Sequence, residues 1–150
     1  MHIAVGADHA GYWLKGEILK LLEELGHSYQ DFGTHHSAPT DYPDFAQPVA
    51  KAVAEGKFER GILICGNGVG VCITANKVKG IRAALCHDTF CARTSREDDD
   101  ANVLCLGARI LGVGLAKDIV RIWLSTPFSE AERHRRRIAK VMALEEREDG

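Results

Sequence analysis

A cysteine stands at the end of an apolar segment and opens a glycine-rich run. Residues 61–64 are apolar, and Cys65 is followed by Gly66-Asn67-Gly68-Val69-Gly70. A thiol at the end of a buried strand, just before a helix begins, lies beside backbone N–H groups that lack a partner within the helix. Those N–H groups and the positive end of the helix dipole stabilise a thiolate and can hold an oxyanion. The arrangement suits proton abstraction next to a carbonyl group in a phosphorylated substrate.

The glycine-rich run differs from the better-known loops that bind phosphates. It lacks the Gly-Lys-Ser/Thr ending of a P-loop and the GxGxxG spacing of dinucleotide-binding folds. A cysteine phosphatase loop needs an arginine soon after the thiol, whereas Val71 and Cys72 follow Gly70. The alternative is an inert cysteine in a tight turn, but three glycines in five positions exceed what a turn needs. Of the five cysteines, only Cys65 has a setting that predicts reactivity.

Polar residues also follow other strand-like runs. Asp8 and His9 come after the first run, and His87 and Asp88 come after the fourth. The carboxyl ends of parallel strands meet at one edge of a sheet, so these residues are expected beside Cys65. There a carboxylate could bind a sugar hydroxyl, and an imidazole could bind a phosphate or shuttle a proton. The alternative for Asp8 is a helix cap and nothing more.

Charged residues cluster in the last third of the chain. Arg133 and Arg137 are four apart, so on a helix they share one face and could grip a phosphate, although such runs are often solvated helix faces. Arg109, just after the last strand-like run, is a further candidate phosphate ligand. The acidic residues 98–100 are interpreted as a solvated loop, because no other segment supplies ligands for a metal.

The composition is that of a globular protein with a single domain over residues 1–150. Hydrophobic residues make up 45% and charged residues 27% of the chain. The net charge of −2 argues against a general nucleic-acid or membrane-surface binder, and no apolar run reaches bilayer length. Five cysteines with no CxxC pair fit reduced thiols and predict a cytoplasmic protein.

Apolar strand-like runs alternate with helical patterns along the chain. Strands are predicted at residues 3–5, 27–32, 61–65, 81–85 and 102–106. Residues 69–76 form a short helix, and residues 129–132, Ser-Glu-Ala-Glu, are a capping-box pattern that begins a charged final helix. The alternation predicts an α/β fold: a Rossmann-like three-layer sandwich with a five-stranded parallel sheet and an extra C-terminal helix.

Six motifs occur in order along the chain. They are Gly6-Ala7-Asp8-His9-Ala10-Gly11, Thr40-Asp41-Tyr42-Pro43, the Cys65 glycine loop, Ala75-Asn76-Lys77, Gly80-Ile81-Arg82-Ala83 and Gly107-Ala108-Arg109. Together they resemble the ribose-5-phosphate isomerase B family, which includes galactose-6-phosphate, allose-6-phosphate and tetrulose-phosphate isomerases. The resemblance implies a homodimer with shared active sites, with a tetramer as a further assembly. It implies no cofactor, no metal, no nucleic acid and no membrane.

The resemblance also implies a role for each residue of the site. Cys65 matches the base that moves a proton between adjacent carbons through an enediolate, Asn67 assists in the loop, and Asp98 occupies a ring-opening position. Ring opening is expected from Asp98, from His9 or from another residue, unless the substrate needs no opening. The matching substrate-binding positions are Asp8, His9, Tyr42, Gly66, Gly68, Val69, Gly70, Asp99, Arg109, Arg133 and Arg137. The arginines match phosphate ligands, some of which the partner subunit contributes.

Two positions depart from the family's pattern. The family commonly has a histidine, linked to ring opening, followed by an asparagine where this chain has Asp98 and Asp99. The residue after Gly66 is commonly threonine or serine, and here it is Asn67. Neither change touches proton transfer, so the predicted reaction is ribose 5-phosphate to ribulose 5-phosphate. The alternatives are a tetrulose-phosphate or hexose-6-phosphate isomerase and a non-catalytic sugar-phosphate-binding subunit.

Overall fold

The computed structural model describes residues 1–147 and contains one sheet of five parallel strands in the order β2-β1-β3-β5-β4. The strands are β1 (His2–Ala7), β2 (Ser28–Asp31), β3 (Arg60–Cys65), β4 (Ala83–Leu85) and β5 (Val103–Gly107). The helices are α1 (Tyr12–Glu24), α2 (Pro43–Ala54), α3 (Val69–Asn76), α4 (Thr89–Glu97), α5 (Val113–Ser125) and α6 (Glu132–Ala143). The predicted fold class is confirmed. The last three residues of the expected domain lie outside the described range.

Alternate residues of the central strand feed two apolar cores, one on each face of the sheet. Ile62 and Ile64 pack with residues of α1 and α5, whereas Leu63 and Cys65 pack with residues of α2 and α3. A strand covered on both faces is continuously apolar, which is why this run was recognisable in the sequence. Strand β3 lies between β1 and β5, and its last residue, Cys65, is paired with Gly107 of β5 directly after Ile64, which is paired with Ala7 of β1. Within residues 1–147, no helix has both the length and the apolar character to cross a membrane.

Two predicted details of the elements are wrong. The fourth strand contains only Ala83–Leu85, not all of residues 81–85. The backbone N–H of Ile81 donates to the Val78 carbonyl, and the backbone N–H of Arg82 donates to the Asn102 side chain, so neither residue takes part in strand pairing. In α5 the buried face is formed by Ala116, Ile119, Val120, Trp123 and Leu124. The spacing of Leu115, Ile119, Ile122 and Trp123 predicts this helix, but Leu115 is exposed.

The predicted capping box at Ser129 is also wrong. Helix α6 begins at Glu132 after Ala131, and Glu130 has a positive φ of 62° that turns the chain before the helix. The Ser129 hydroxyl instead accepts the N–H of Ala131 and contacts His134 Nδ1 at 2.8 Å. A contact between the loop and the helix has replaced the local cap.

Candidate active site

A cleft of about 260 Å³ lies at the carboxyl ends of β1 and β3. It is lined by Asp8, His9, Ala10, Tyr42, Cys65, Gly66, Asn67, Gly70, Arg109 and Ile110. Helices and loops that are distant in sequence thus bring most of the predicted site residues together. Gly68 and Val69, also predicted for the site, belong to the same loop behind the cleft.

The Cys65 sulfur is held by the glycine loop. Cys65 is only 4% exposed, yet it lines the cleft, and the Gly68 N–H donates to its Sγ at 3.2 Å. Gly68 has φ +76°, a conformation that directs this N–H back toward the sulfur. A backbone donor at this distance stabilises negative charge on sulfur. The thiol is thus in a suitable place to act as a base on a molecule in the cleft.

The loop also has donors that remain available. Among residues 1–147, the N–H groups of Asn67 and Gly70 donate to no protein acceptor. Asn67 Oδ1 accepts the Val69 N–H at 3.0 Å, which leaves the amide nitrogen of that side chain as a donor. The loop therefore offers both main-chain and side-chain hydrogen-bond donors beside Cys65, as an oxyanion requires.

His9 is oriented by Thr40. The backbone N–H of Thr40 donates to the ring atom Nδ1 of His9 at 3.0 Å, and the backbone N–H of His9 donates to the Thr40 hydroxyl at 3.0 Å. Because Nδ1 accepts a hydrogen bond, the ring proton of the neutral imidazole is on Nε2. His9 therefore presents an N–H donor, and Thr40 is a positioning residue to which the sequence analysis gave no role.

Replacing His9 tests this orientation. We expect His9→Leu to raise KM for a sugar phosphate by about tenfold, because a hydrogen-bond donor to the ligand is lost. His9→Gln, whose amide can replace the N–H, should retain most of the affinity. Steady-state kinetics of both variants would check this, with His36→Leu as an exposed control. Equal KM values for both His9 variants would contradict the donor role.

Asp8 both caps a turn and lines the cleft, so its two predicted roles do not exclude each other. Its Oδ1 accepts the Gly11 N–H at 3.1 Å and so caps the turn at His9–Gly11. Asp8 is also buried and lines the cleft, with Oδ2 left for a ligand hydroxyl. Tyr42 closes the other side, because its ring lies against Gly70, where a Cβ atom would come within 2.6 Å of it.

Arg109 places a positive charge over the glycine loop. The backbone N–H of Arg109 donates to the Gly66 carbonyl at 2.9 Å. The Nη1 atom of its guanidinium lies 3.2 Å from the position that a Cβ on Gly66 would occupy. The side chain is exposed and has no carboxylate partner among residues 1–147. An unpaired guanidinium beside a row of N–H groups is suited to a phosphate or to a developing oxyanion.

Four predicted site residues, Asp98, Asp99, Arg133 and Arg137, do not line this cleft. The aspartates follow α4, and helices of a parallel sheet run back toward the amino ends of the strands. They therefore lie at the edge of the sheet opposite Cys65. Asp99 and Arg137 line a separate cavity of about 570 Å³ between α6 and β4. Burial, together with the neighbouring Asp98 carboxylate, raises the pKa of Asp99.

The arginines of α6 differ in their partners. Arg135 and Arg136 pair with Glu130 and Glu132. Arg133 and Arg137 are exposed and have no carboxylate partner in the described part of the chain. Their charges are therefore available to an anion outside this chain's own cleft.

A second thiol, that of Cys72, has an unusual environment. The Cys105 thiol, hydrogen-bonded to Cys72, lowers the pKa of Cys72 to about 7. Cys72 does not line the cleft, and all five cysteines are free. The sequence contained no signal for this pairing, because the two thiols are brought together only by the packing of α3 on β5.

Known proteins share the sequence and the fold. Residues 3–141 match a family described as Ribose/Galactose Isomerase. The chain belongs to this family. Ribose-5-phosphate isomerase B from Escherichia coli (strain K12) is 48% identical over 97% of this chain and 97% of its own length. The structure of Clostridium thermocellum ribose-5-phosphate isomerase B matches with a TM-score of 0.95 and 50% identity, over 97% of this chain and 98% of that one.

A further structure, ribose-5-phosphate isomerase B from Mycoplasma genitalium with bound ribulose 5-phosphate, has a TM-score of 0.93 and 41% identity, with 97% of both chains covered. The family resemblance stated from the motifs is thus confirmed. The protein is a sugar-phosphate isomerase of the ribose-5-phosphate isomerase B type.

Proposed function

We propose that this isomerase interconverts ribose 5-phosphate and ribulose 5-phosphate through an enediolate. The observation that carries the proposal is the Cys65 sulfur at the wall of the cleft, held by a loop N–H and flanked by unpaired donors. The relatives named for this reaction support the choice of substrate. The free cysteines further support a cytoplasmic location. The proposed substrate gives the enzyme a place in pentose phosphate metabolism.

In the proposed reaction, the Cys65 thiolate removes the proton from C2 of the open-chain aldose and returns it to C1, while the hydroxyl proton on the C2 oxygen passes to the C1 oxygen. The N–H groups of Asn67 and Gly70 hold the oxyanion, and the Asn67 amide donates to a second substrate oxygen. Loss of one such donor typically raises the barrier by about 3 kcal/mol. The step uses acid–base chemistry alone, so the proposal includes no cofactor and no metal.

A furanose phosphate must open before this proton can be removed. Asp98, which is exposed enough to meet a sugar, is the proposed acid–base group for that step. Its carboxylate takes the proton from the hydroxyl on C1 while the bond between C1 and the ring oxygen breaks. The electron pair goes to the ring oxygen, and the same proton then passes to that atom, so Asp98 returns to its carboxylate form.

The proposal includes a homodimer with shared sites. Within one chain, Asp98 and Arg137 lie apart from the Cys65 cleft, and a two-fold partner would bring its own copies to it. Val69 and Ile73, one turn apart on α3, are exposed apolar residues on the helix that follows the glycine loop. Apolar side chains beside a site are suited to contact with a second subunit.

Mixing inactive variants tests the shared site. We expect Cys65→Ala and Arg137→Ala to be nearly inactive alone, because one lacks the base and the other a phosphate ligand. After unfolding and refolding together in equal amounts, they should regain about a quarter of the wild-type activity, since half the dimers are mixed and each holds one complete site. Arg136→Ala, whose side chain pairs with Glu132, is the matched control and should remain active alone. No gain on mixing would contradict shared sites.

The competing class is a non-catalytic sugar-phosphate-binding subunit, which the aspartate at position 98 favours. Purified protein would be assayed on a pentose 5-phosphate, a tetrulose phosphate and hexose 6-phosphates. We expect the highest kcat/KM on ribose 5-phosphate. Binding without turnover on every substrate would identify a binding subunit, and faster turnover of another sugar phosphate would overturn the proposed substrate.

A further inference from the structure

Three polar contacts join the end of α4 to the beginning of α6. The Ser129 N–H donates to the Glu97 carbonyl at 3.2 Å, and the Ser129 hydroxyl lies 2.8 Å from His134 Nδ1. On the other side of the imidazole, Nε2 lies 3.5 Å from Asp98 Oδ1. Ser129, His134 and Asp98 therefore form one connected row.

The hydrogen bonds define the direction of this row. The Ser129 oxygen accepts the Ala131 N–H at 3.2 Å, so its own O–H is available to donate to His134 Nδ1. The ring proton of a neutral His134 is then on Nε2, and it faces the Asp98 carboxylate. His134 Nε2 thus lies at ion-pair distance from one carboxylate oxygen of Asp98, and the other oxygen remains for a different partner.

His134 and Asp98 differ in how far their side chains are exposed. His134 is 8% exposed, whereas the Asp98 side chain is 46% exposed. His134 is the only residue of α6 that is buried in the described structure. A ligand can therefore meet the carboxylate but not the imidazole behind it.

The neighbouring charges distinguish Asp98 from the aspartate at position 100. Asp100 is paired with Arg96 at 2.8 Å and with Arg82 at 3.6 Å. Asp98 has no arginine partner among residues 1–147, and its charge is met by His134 alone. Arg137, three residues beyond His134, adds an unpaired cation on the same side of the helix.

We infer that His134 and Ser129 are positioning residues that hold Asp98 in place for ring opening. The inference rests on the proposed function, because it gives Asp98 a sugar to act on. His134 donates to one carboxylate oxygen, and Ser129 fixes the imidazole in the tautomer that can donate. Neither residue touches the sugar, and the proton that moves during ring opening remains between the sugar and Asp98.

Ring opening can be measured separately from isomerisation. In the Cys65→Ala background no proton leaves C2, but the ring of ribose 5-phosphate still opens and closes and thereby exchanges its two anomers. Exchange between the anomers of substrate labelled with carbon-13 at C1 is followed by two-dimensional exchange NMR. We expect Cys65→Ala protein to accelerate this exchange above the rate in buffer.

Adding His134→Leu to that background should lower the acceleration about tenfold or more, because the carboxylate loses its donor. His134→Gln, whose amide nitrogen can take the place of Nε2, should retain most of it. Ser129→Ala should lower the acceleration by a smaller factor, and Ser125→Ala, an exposed serine at the end of α5, should not change it. Thermal unfolding establishes whether each variant is folded. If His134→Leu does not fold, the comparison is made with Ser129→Ala instead.

The inference would be overturned if Cys65→Ala/His134→Leu accelerated the exchange as much as Cys65→Ala does. It would also be overturned if Cys65→Ala itself did not accelerate the exchange. In otherwise wild-type protein, His134→Leu should slow turnover of ribose 5-phosphate but not of a tetrose 4-phosphate, which cannot close a furanose ring. An equal loss on both substrates would show a merely structural role. Failure of the proposed function is distinct, because the unmodified protein would then turn over no ribose 5-phosphate.

Discussion

Cys65→Ala is expected to abolish isomerisation and to leave the fold intact. Removing the base should lower kcat by about 10³-fold or more, since general acid–base groups typically contribute 10²- to 10⁴-fold. The substitution removes a single sulfur atom that is bonded to a loop N–H, so the two cores keep their apolar side chains. A coupled assay of ribulose 5-phosphate formation measures the loss, and circular dichroism verifies the fold.

Two further variants make this test specific. Cys65→Ser should also be nearly inactive, because a hydroxyl is a far weaker acid than a thiol and is rarely ionised at neutral pH. Cys72→Ala removes the thiol whose pKa is lowered to about 7 but which lies outside the cleft, and it should keep most of the activity. Near-normal turnover by Cys65→Ala would place the base elsewhere.

Gly68→Ala is expected to cause the second large loss, in both stability and activity. Gly68 has φ +76°, and a Cβ atom there would lie 2.5 Å from Leu85 Cδ1 and 2.9 Å from the Leu106 carbonyl carbon. Backbone strain and the clash together should lower the free energy of unfolding by about 2–4 kcal/mol. The loop would also shift its N–H away from Cys65, and kcat should fall about tenfold or more.

Gly16→Ala is the matched control for Gly68→Ala. Gly16 lies inside α1, and a Cβ atom there would meet no other atom within 4 Å. Alanine is the better helix former, so this variant should be unchanged or more stable by up to about 1 kcal/mol. Urea unfolding followed by circular dichroism compares the two. A Gly68→Ala protein as stable as Gly16→Ala would show that the loop tolerates a side chain.

The strands and the glycine loop could be predicted because their signals are local. Residues 61–65 are apolar throughout, as a strand buried on both faces must be, and the helix at Val69–Asn76 begins where the glycines end. Asp88 directly precedes α4 and caps it, because its Oδ1 accepts the Cys91 N–H. In each case neighbouring residues determine the local conformation.

The features that were not predicted depend on contacts between distant segments. Ser129 has the local pattern of a cap, but its N–H is bound to Glu97 and its hydroxyl to His134, so the helix begins later. Asp98 lies at the opposite edge of the sheet from Cys65 within one chain, and the local sequence around it contains no signal for that distance. Packing of one segment on another outweighs local preference in such cases.

The burial of the Cys65 sulfur has a consequence for the fate of the hydrogen it removes. With 4% of the residue exposed and the substrate covering the cleft, the protonated thiol meets little bulk water during the lifetime of the enediolate. A deuterium atom placed at C2 of the aldose would therefore be carried over to C1 in part, instead of washing out into the solvent.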